Sequence, residues 1–269
     1  MRIIKQMFIL AAICVVLISC TEEFEVNVNV ADTQIVVEAN LNSKEPITVT
    51  LSSSVNFNDD NEFPPVVGAT IVIADNLGNN ETLKETNKGK YVGSTVIGIA
   101  GRSYTLNVKS NDKIISSVCS ISNEVNFDKL TVKVSSGGGG GGPGGGDGST
   151  HDISVEYLDP LNETNYYRFV EFRNGDYINA YIFDDRLSNG TTINSTLRSF
   201  NRNYKKGDTL TIEMQCISKE IYEYYKSFGN LFGGPTNAST PANPYTNMQG
   251  TKLGYFSAHT IQTKTYIIP

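Results

Sequence analysis

Apolar side chains recur at every second position over most of the chain: Ile35, Val37, Ala39 and Leu41; Ile47, Val49 and Leu51; Ile71 and Ile73; Tyr104, Leu106 and Val108. Each run stops at Gly, Asn, Asp or Pro. A period of two is that of a strand with one buried face, and such strands need a second sheet to cover it. The pattern therefore predicts a mainly β protein, with an Ig-like or prealbumin-like β-sandwich over residues 33–122. Alternation resumes at Val125, Phe127, Leu130, Val132 and Val134, and again at Ile153, Val155 and Tyr157. Residues 123–269 are thus expected to form a second antiparallel β domain, with the boundary near Asn123.

Inside that second region, Asn174-Gly175 separates two apolar-aromatic runs, Tyr166–Phe172 and Tyr177–Phe183. Asn-Gly supplies the two positive φ angles of a type I′ turn, so a hairpin is predicted. Asn189-Gly190 is expected to repeat it, and Lys206-Gly207-Asp208 to turn into a strand over 209–217. One segment changes period. Ile221, Tyr224, Tyr225, Phe228, Leu231 and Phe232 follow helical spacing after Ser218, a good N-cap, and Gly233-Gly234-Pro235 ends the run. A helix near 218–232 follows, with its aromatic stripe in the core. Ten of the 24 glycines fall between Gly137 and Gly148. This 135–150 segment has no side chains to bury, and strand patterns on both sides predict a long loop within the second domain rather than a linker between domains.

The amino terminus carries an address. Arg2 and Lys5 precede twelve apolar residues, Met7 to Ile18, and Leu17-Ile18-Ser19-Cys20 resembles a bacterial lipobox. Twelve apolar residues are too few for a span that needs about 20. Residues 1–19 are read as a signal peptide, and Cys20 as the lipid-attachment residue, holding the chain to the membrane by several acyl chains. Residues 20–32 form a lipidated amino-terminal segment, and its start, Thr21-Glu22-Glu23-Phe24-Glu25, resembles the tag that exports lipoproteins of Bacteroidota to the cell exterior.

The leader holds two of the 22 basic residues and no acidic one, so the remainder has 20 against 28 acidic, a net charge of −8. With no basic run longer than Lys205-Lys206, nucleic acid is not an expected partner. Cys119 and Cys216 sit on apolar strand faces of different domains and are read as two buried free thiols rather than a bridge. The two histidines, His151 and His259, come with no nucleophile motif or zinc spacing, so no catalytic residue, metal site or cofactor is assigned. Asp59, Asp60 and Glu62 offer hard oxygens for calcium but lack ordered ligand spacing, and they are read as a solvated loop, as is Asp184-Asp185-Arg186. The long segment 229–250, with Pro235, Pro241, Pro244 and Tyr245, is the most plausible recognition surface.

The run Pro65-Val66-Val67-Gly68-Ala69-Thr70, with Asp75-Asn76-Leu77-Gly78 and Gly89-Lys90-Tyr91, resembles carboxypeptidase-regulatory and transthyretin-like modules, which brace or bind. Adding the lipobox, Asn165-Tyr166-Tyr167-Arg168-Phe169 and Gly254-Tyr255-Phe256-Ser257-Ala258, the chain resembles the domain of unknown function 4249 family of Bacteroidota lipoproteins over about residues 20–268. That resemblance implies a surface-facing outer-membrane protein acting as a non-enzymatic accessory of a TonB-dependent receptor in nutrient uptake. The alternative is an adhesin binding a host or matrix polymer through its loops. An exported hydrolase would have to depend on His151 or His259.

Overall fold

The computed structural model describes residues 32–56, 62–134, 149–186, 188–198, 203–232 and 243–269. Residues 1–19, Cys20, Asp59, Asp60, the whole glycine run from Gly137 to Gly148 and residues 233–242 lie outside them. Thr33–Val55 and Asp60–Pro269 form one compact unit; the other unit, Met1–Asp32 with Asn56–Asp59, falls almost wholly outside the described residues.

The first eight strands are β1 (Ile35–Asn42), β2 (Pro46–Ser53), β3 (Thr70–Asp75), β4 (Asn80–Thr82), β5 (Lys84–Asn87), β6 (Lys90–Ile97), β7 (Ser103–Ser110) and β8 (Lys113–Ser120). Then come β9 (Lys129–Val134), β10 (Ser149–Leu158), β11 (Tyr166–Arg173), β12 (Asp176–Asp184), β13 (Thr192–Leu197), β14 (Asn203–Tyr204) and β15 (Thr209–Ile217). Helix α1 (Lys219–Phe232), β16 (Met248–Gln249) and β17 (Gly254–Ile267) complete the chain. The fold is mainly β, as the alternation predicts, with sheets packed face to face.

An eight-stranded sheet runs β12-β11-β15-β17-β1-β2-β6-β5. Facing it are a five-stranded sheet, β16-β8-β7-β3-β4, and a smaller one in which β10 pairs with β9, β13 and β14. Between the first two lies a core built on Val37, Leu41, Ile47, Leu51, Ile71 and Leu106. The second core, between β11, β15 and β10, holds Phe127, Tyr157, Tyr167, Phe169, Ile212 and Met214. Cys119 lies in the first core and Cys216 in the second, both buried and free.

A clean division at 122/123 does not describe this packing. Ile217, Ile221, Tyr222, Met248, Phe256 and Ala258, all from the carboxy-terminal segment, are buried with the first core. The reason is β17. Its first half pairs parallel to β1, Val37 with Gly254 through Asn42 with His259. Its second half pairs antiparallel to β15, from Cys216 with Thr260 to Thr209 with Ile267. One strand therefore carries the backbone ladder of both halves. A parallel partner more than two hundred residues away leaves no mark in local periodicity.

The turn chemistry is where the sequence puts it, with one exception. Asn174 and Gly175 have φ of 54° and 90°, and β11 pairs with β12 across them. Gly190 also has positive φ, 75°, but Asn189 does not, and β12 and β13 pair with β11 and β10 instead of each other. Asp159 accepts from Gly190 N at 3.2 Å, so that turn is tied inward rather than forming a hairpin tip. The glycine run joins two adjacent strands, since Val134 of β9 lies opposite His151 of β10. At the free edge of the first half, the Glu81 carboxylate accepts from the backbone N–H groups of Ser94, Thr95 and Val96 at 2.5, 3.0 and 2.9 Å. These bonds hold its pKa down at about 2 although burial pushes the other way, and they cap amide groups that would otherwise lack a strand partner.

Candidate functional site

Alternation along β17 sends Phe256 and Ala258 into the first core and Thr260 and Gln262 toward the second on one face of the eight-stranded sheet, while Ile217, Ile221 and Tyr222 extend the first core to the other face. The opposite face receives Val36, Glu38, Asn40 and Asn42 from β1, Tyr255, Ser257 and His259 from β17, Glu213 and Gln215 from β15, and Arg168 from β11. Helix α1 crosses this second face. The Ser218 hydroxyl caps it, accepting from Ile221 N at 3.4 Å. Tyr222 packs on Tyr166 with ring centroids 5.0 Å apart and donates to Asp184 at 2.8 Å, while Tyr224 lies 4.7 Å from Tyr255. Of the predicted stripe, Ile221 is buried and Tyr224 and Tyr225 are half-buried against Tyr255, while Phe228 is exposed; Tyr222, outside that stripe, is buried with Tyr166 and Ile217.

This places the Asp184-Asp185-Arg186 group differently from a solvated hairpin end. Asp184 holds the helix through Tyr222 and also accepts from Arg186 Nε at 2.9 Å. Asp185 is buried and accepts from Asn165 N at 2.8 Å. Glu62 is exposed, and its two acidic companions lie outside the described residues. The end of the 229–250 segment is structural too: Asn247 accepts from Phe256 N at 3.0 Å and donates to Phe256 O at 2.8 Å. It thereby fastens β16 to β17.

Where the halves meet, polar residues together with Ile261 and Thr263 line a cleft of about 470 Å³. Asn40, Glu213, Gln215 and His259 form its floor and Lys44 and Glu45, from the β1–β2 turn, its rim. Each group in the floor is held by a neighbour. Arg168 stacks 4.4 Å from the Tyr225 ring centre and donates from Nη1 to Gln215 Oε1 at 3.0 Å, and Gln215 Nε2 donates to Glu213 Oε1 at 2.5 Å. His259 Nδ1 is 2.9 Å from Ser257 Oγ. Asn42 Oδ1 accepts from Lys44 N and Glu45 N, both at 2.8 Å, fixing the rim turn. Burial raises the Glu213 pKa, and nearby Glu45 adds to the rise while Arg168 and the bond from Gln215 oppose it. Burial, and then the Arg168 charge, push His259 down to about 3.

The two histidines do not meet. His151 shares the β10 face of Ile153 and Val155, packs edge-on to Tyr204 at 5.9 Å and belongs to the second core's side of the sheet; His259 is on the other. The thiols of Cys119 and Cys216 have pKa values raised by burial, the environment of an inert cysteine rather than a nucleophile. Among the described residues no group of three or more His, Cys, Asp and Glu is placed to hold a metal ion, and no helix is long and apolar enough to cross a membrane. Sequence reasoning missed the cleft because its residues come from β1, β15 and β17, which only pairing brings together. The one local signal was Asn40, Asn42, Glu213 and Gln215 standing at the polar positions of strongly alternating strands.

A family model described as "Domain of unknown function (DUF4249)" matches residues 21–265. The chain belongs to the DUF4249 family. The match takes in β1 through nearly all of β17, so the DUF4249 unit contains both cores and the cleft. No curated protein matches the chain in sequence. Among solved structures it is similar to a DUF4785 family protein from Legionella pneumophila, at 12% identity and a TM-score of 0.26, covering 68% of this chain and 52% of that one. The chain spans about half the length of that protein.

His259 gives a direct check on the buried site. Its folded pKa lies below the unfolded value near 6.5, so between about pH 6.5 and 3 the unfolded chain binds the extra proton, and stability falls as pH drops through that window. His259→Gln should flatten this dependence. The measurement is urea unfolding of both proteins from pH 7 to pH 4; parallel curves would show that His259 is protonated without cost.

Proposed function

We propose that this protein is a non-enzymatic binding protein, lipid-anchored through Cys20 at the outer membrane and facing the cell exterior, which serves as an accessory to a TonB-dependent receptor in nutrient uptake. The observation that carries the reading is the distribution of its polar chemistry. The thiols of Cys119 and Cys216 and the His151 ring are buried away from the cleft, whereas the helix-bearing face of the eight-stranded sheet carries a cleft whose groups, Asn40, Glu213, Gln215 and His259, are already held by hydrogen bonds. Pre-set hydrogen-bonding groups in a concave site suit binding. The lipobox supports the anchor, and the acidic segment after Cys20 supports the outward direction.

Purification of the lipidated chain from outer membranes, with mass spectrometry of its amino-terminal peptide, tests the proposal. The expected result is an acylated Cys20 as first residue and a co-purifying β-barrel receptor. An unmodified Cys20 with the leader still attached would remove the anchor, and recovery without any barrel would remove the accessory role.

A second reading, adhesion to a polymer, has one observation in its favour. Phe63, Phe228 and Tyr245 are 59%, 43% and 46% exposed, and the first two line a mainly apolar cleft of about 390 Å³ on the far side of the helix. Whole-cell attachment after deletion of residues 233–242 distinguishes the two, since an adhesin would lose attachment while uptake is unchanged.

A further inference from the structure

We propose that the cleft at the seam of the two halves is a binding site for a neutral, polyhydroxylated ligand, of the size of a mono- or disaccharide. The inference rests on reading that cleft as a binding site and assigns its ligand class.

Three features of the cleft select that chemistry. The first is the interleaving of donors and acceptors. Asn40 uses Nδ2 on Tyr255 at 3.3 Å and keeps Oδ1 as an acceptor. With Nδ1 engaged by Ser257, His259 has Nε2 for the cleft, and the Glu213 carboxylate accepts beside it. A hydroxyl group donates and accepts at one atom, so a ring of adjacent hydroxyls can meet such a mixed surface, whereas a carboxylate only accepts and an ammonium only donates.

The second feature is charge balance. In the lining Lys44 stands against Glu45 and Glu213; Arg168, bonded to Gln215 of the floor, supplies the second positive charge, and the depressed pKa of His259 keeps that ring neutral. With two charges of each sign, the site has no net charge to favour an ionic ligand.

The third is location. At Asn40 and His259 the backbone of β1 and β17 is consumed in pairing, whereas beyond Thr260 β17 keeps only β15 as a strand partner, so the Gly-Gly arm of the test reports whether that edge takes up an extended chain instead. The floor side chains are already fixed by Arg168, Ser257 and the Asn42 turn, which limits the ordering entropy lost on binding a small molecule. The volume, about 470 Å³, is within the ~300–1,000 Å³ common for small-molecule sites.

The test uses the full-length chain in a detergent without a sugar headgroup. It is titrated calorimetrically with glucose, galactose, mannose, xylose and the disaccharides maltose, cellobiose and lactose, and separately with the dipeptide Gly-Gly. Saturable binding of at least one sugar is expected, weakened roughly tenfold or more in Asn40→Ala and in the rim variant Glu45→Gln, which is exposed and should fold normally. Thermal unfolding of each variant confirms the fold. Sugar binding that both variants leave unchanged, binding of Gly-Gly alone, or no binding by any probe would each overturn the assignment. A chain that binds no sugar but still co-purifies a receptor loses only this ligand class; one that binds sugar without a receptor keeps the site and loses the accessory role.

Discussion

Gly254→Ala should lower the thermal midpoint by roughly 6–20 °C, the effect of a loss of ~3–5 kcal/mol in a unit of this size. Gly254 opens β17 with φ of 100°, and a Cβ there would stand 2.0 Å from the carbonyl oxygen and 2.6 Å from the nitrogen of Val37. Neither atom can yield cheaply. Val37 is fully buried in the middle of β1, and its displacement would break the parallel register that runs on to Asn42 and His259. Gly207→Ala is the control. It has φ of 88° but nothing within 4 Å of the added carbon, so it carries the backbone strain without the collision. Circular dichroism melts of both variants read the difference; equal midpoints would mean that the close approach of β17 to β1 is not what stabilises the seam.

Phe169→Ala should cost ~3–5 kcal/mol and, more tellingly, should destabilise both cores together. Phe169 is fully buried at the centre of an aromatic cluster, with ring centroids 5.9 Å from Phe127, 5.6 Å from Tyr157 and 5.8 Å from Phe183. Its removal leaves a cavity that three rings, from β10, β12 and the segment before β9, cannot close at once. If each half folded by itself, only β10, β11 and β15 would loosen. Because β17 pairs with β15 and β1 in turn, opening the second core frees the strand that flanks the first. Hydrogen exchange should therefore speed up in the amides of β1 and β7 as well as β11. Exchange confined to the second half would show that the seam transmits nothing and restore the picture of two independent domains.

Much of this architecture was legible because it is local. The alternation Ile35–Leu41 and Ile47–Leu51 fixed which face of each strand is buried, and Asn174-Gly175 fixed a hairpin through the two positive φ angles that only such a pair accepts readily. Ser218 and the spacing of Ile221, Tyr224 and Tyr225 marked the helix. Asn189-Gly190 misled, since a dipeptide specifies a bend but not which strands meet across it. The fate of Asp184 and Asp185 was illegible for a similar reason: their partners, Tyr222 and Asn165, are set by packing and not by nearby sequence. The candidate site was the least visible part. Asn40, Glu213 and His259 are ordinary polar positions when each strand is taken alone.

From the chain of residues alone came the β class, the strand faces, the main turns, the helix after Ser218 and the membership in DUF4249 that the family match then showed. Tertiary structure decided that the two apolar clusters share one sheet, that the aromatic helix packs on Tyr166 and Tyr255 of its other face, and that a cleft forms where the halves join. Periodicity reports how a residue stands relative to its own strand, whereas a seam depends on which distant strands exchange backbone hydrogen bonds. That choice is made by the parallel pairing of β17 with β1, a contact between chain ends whose energy belongs to both cores at once.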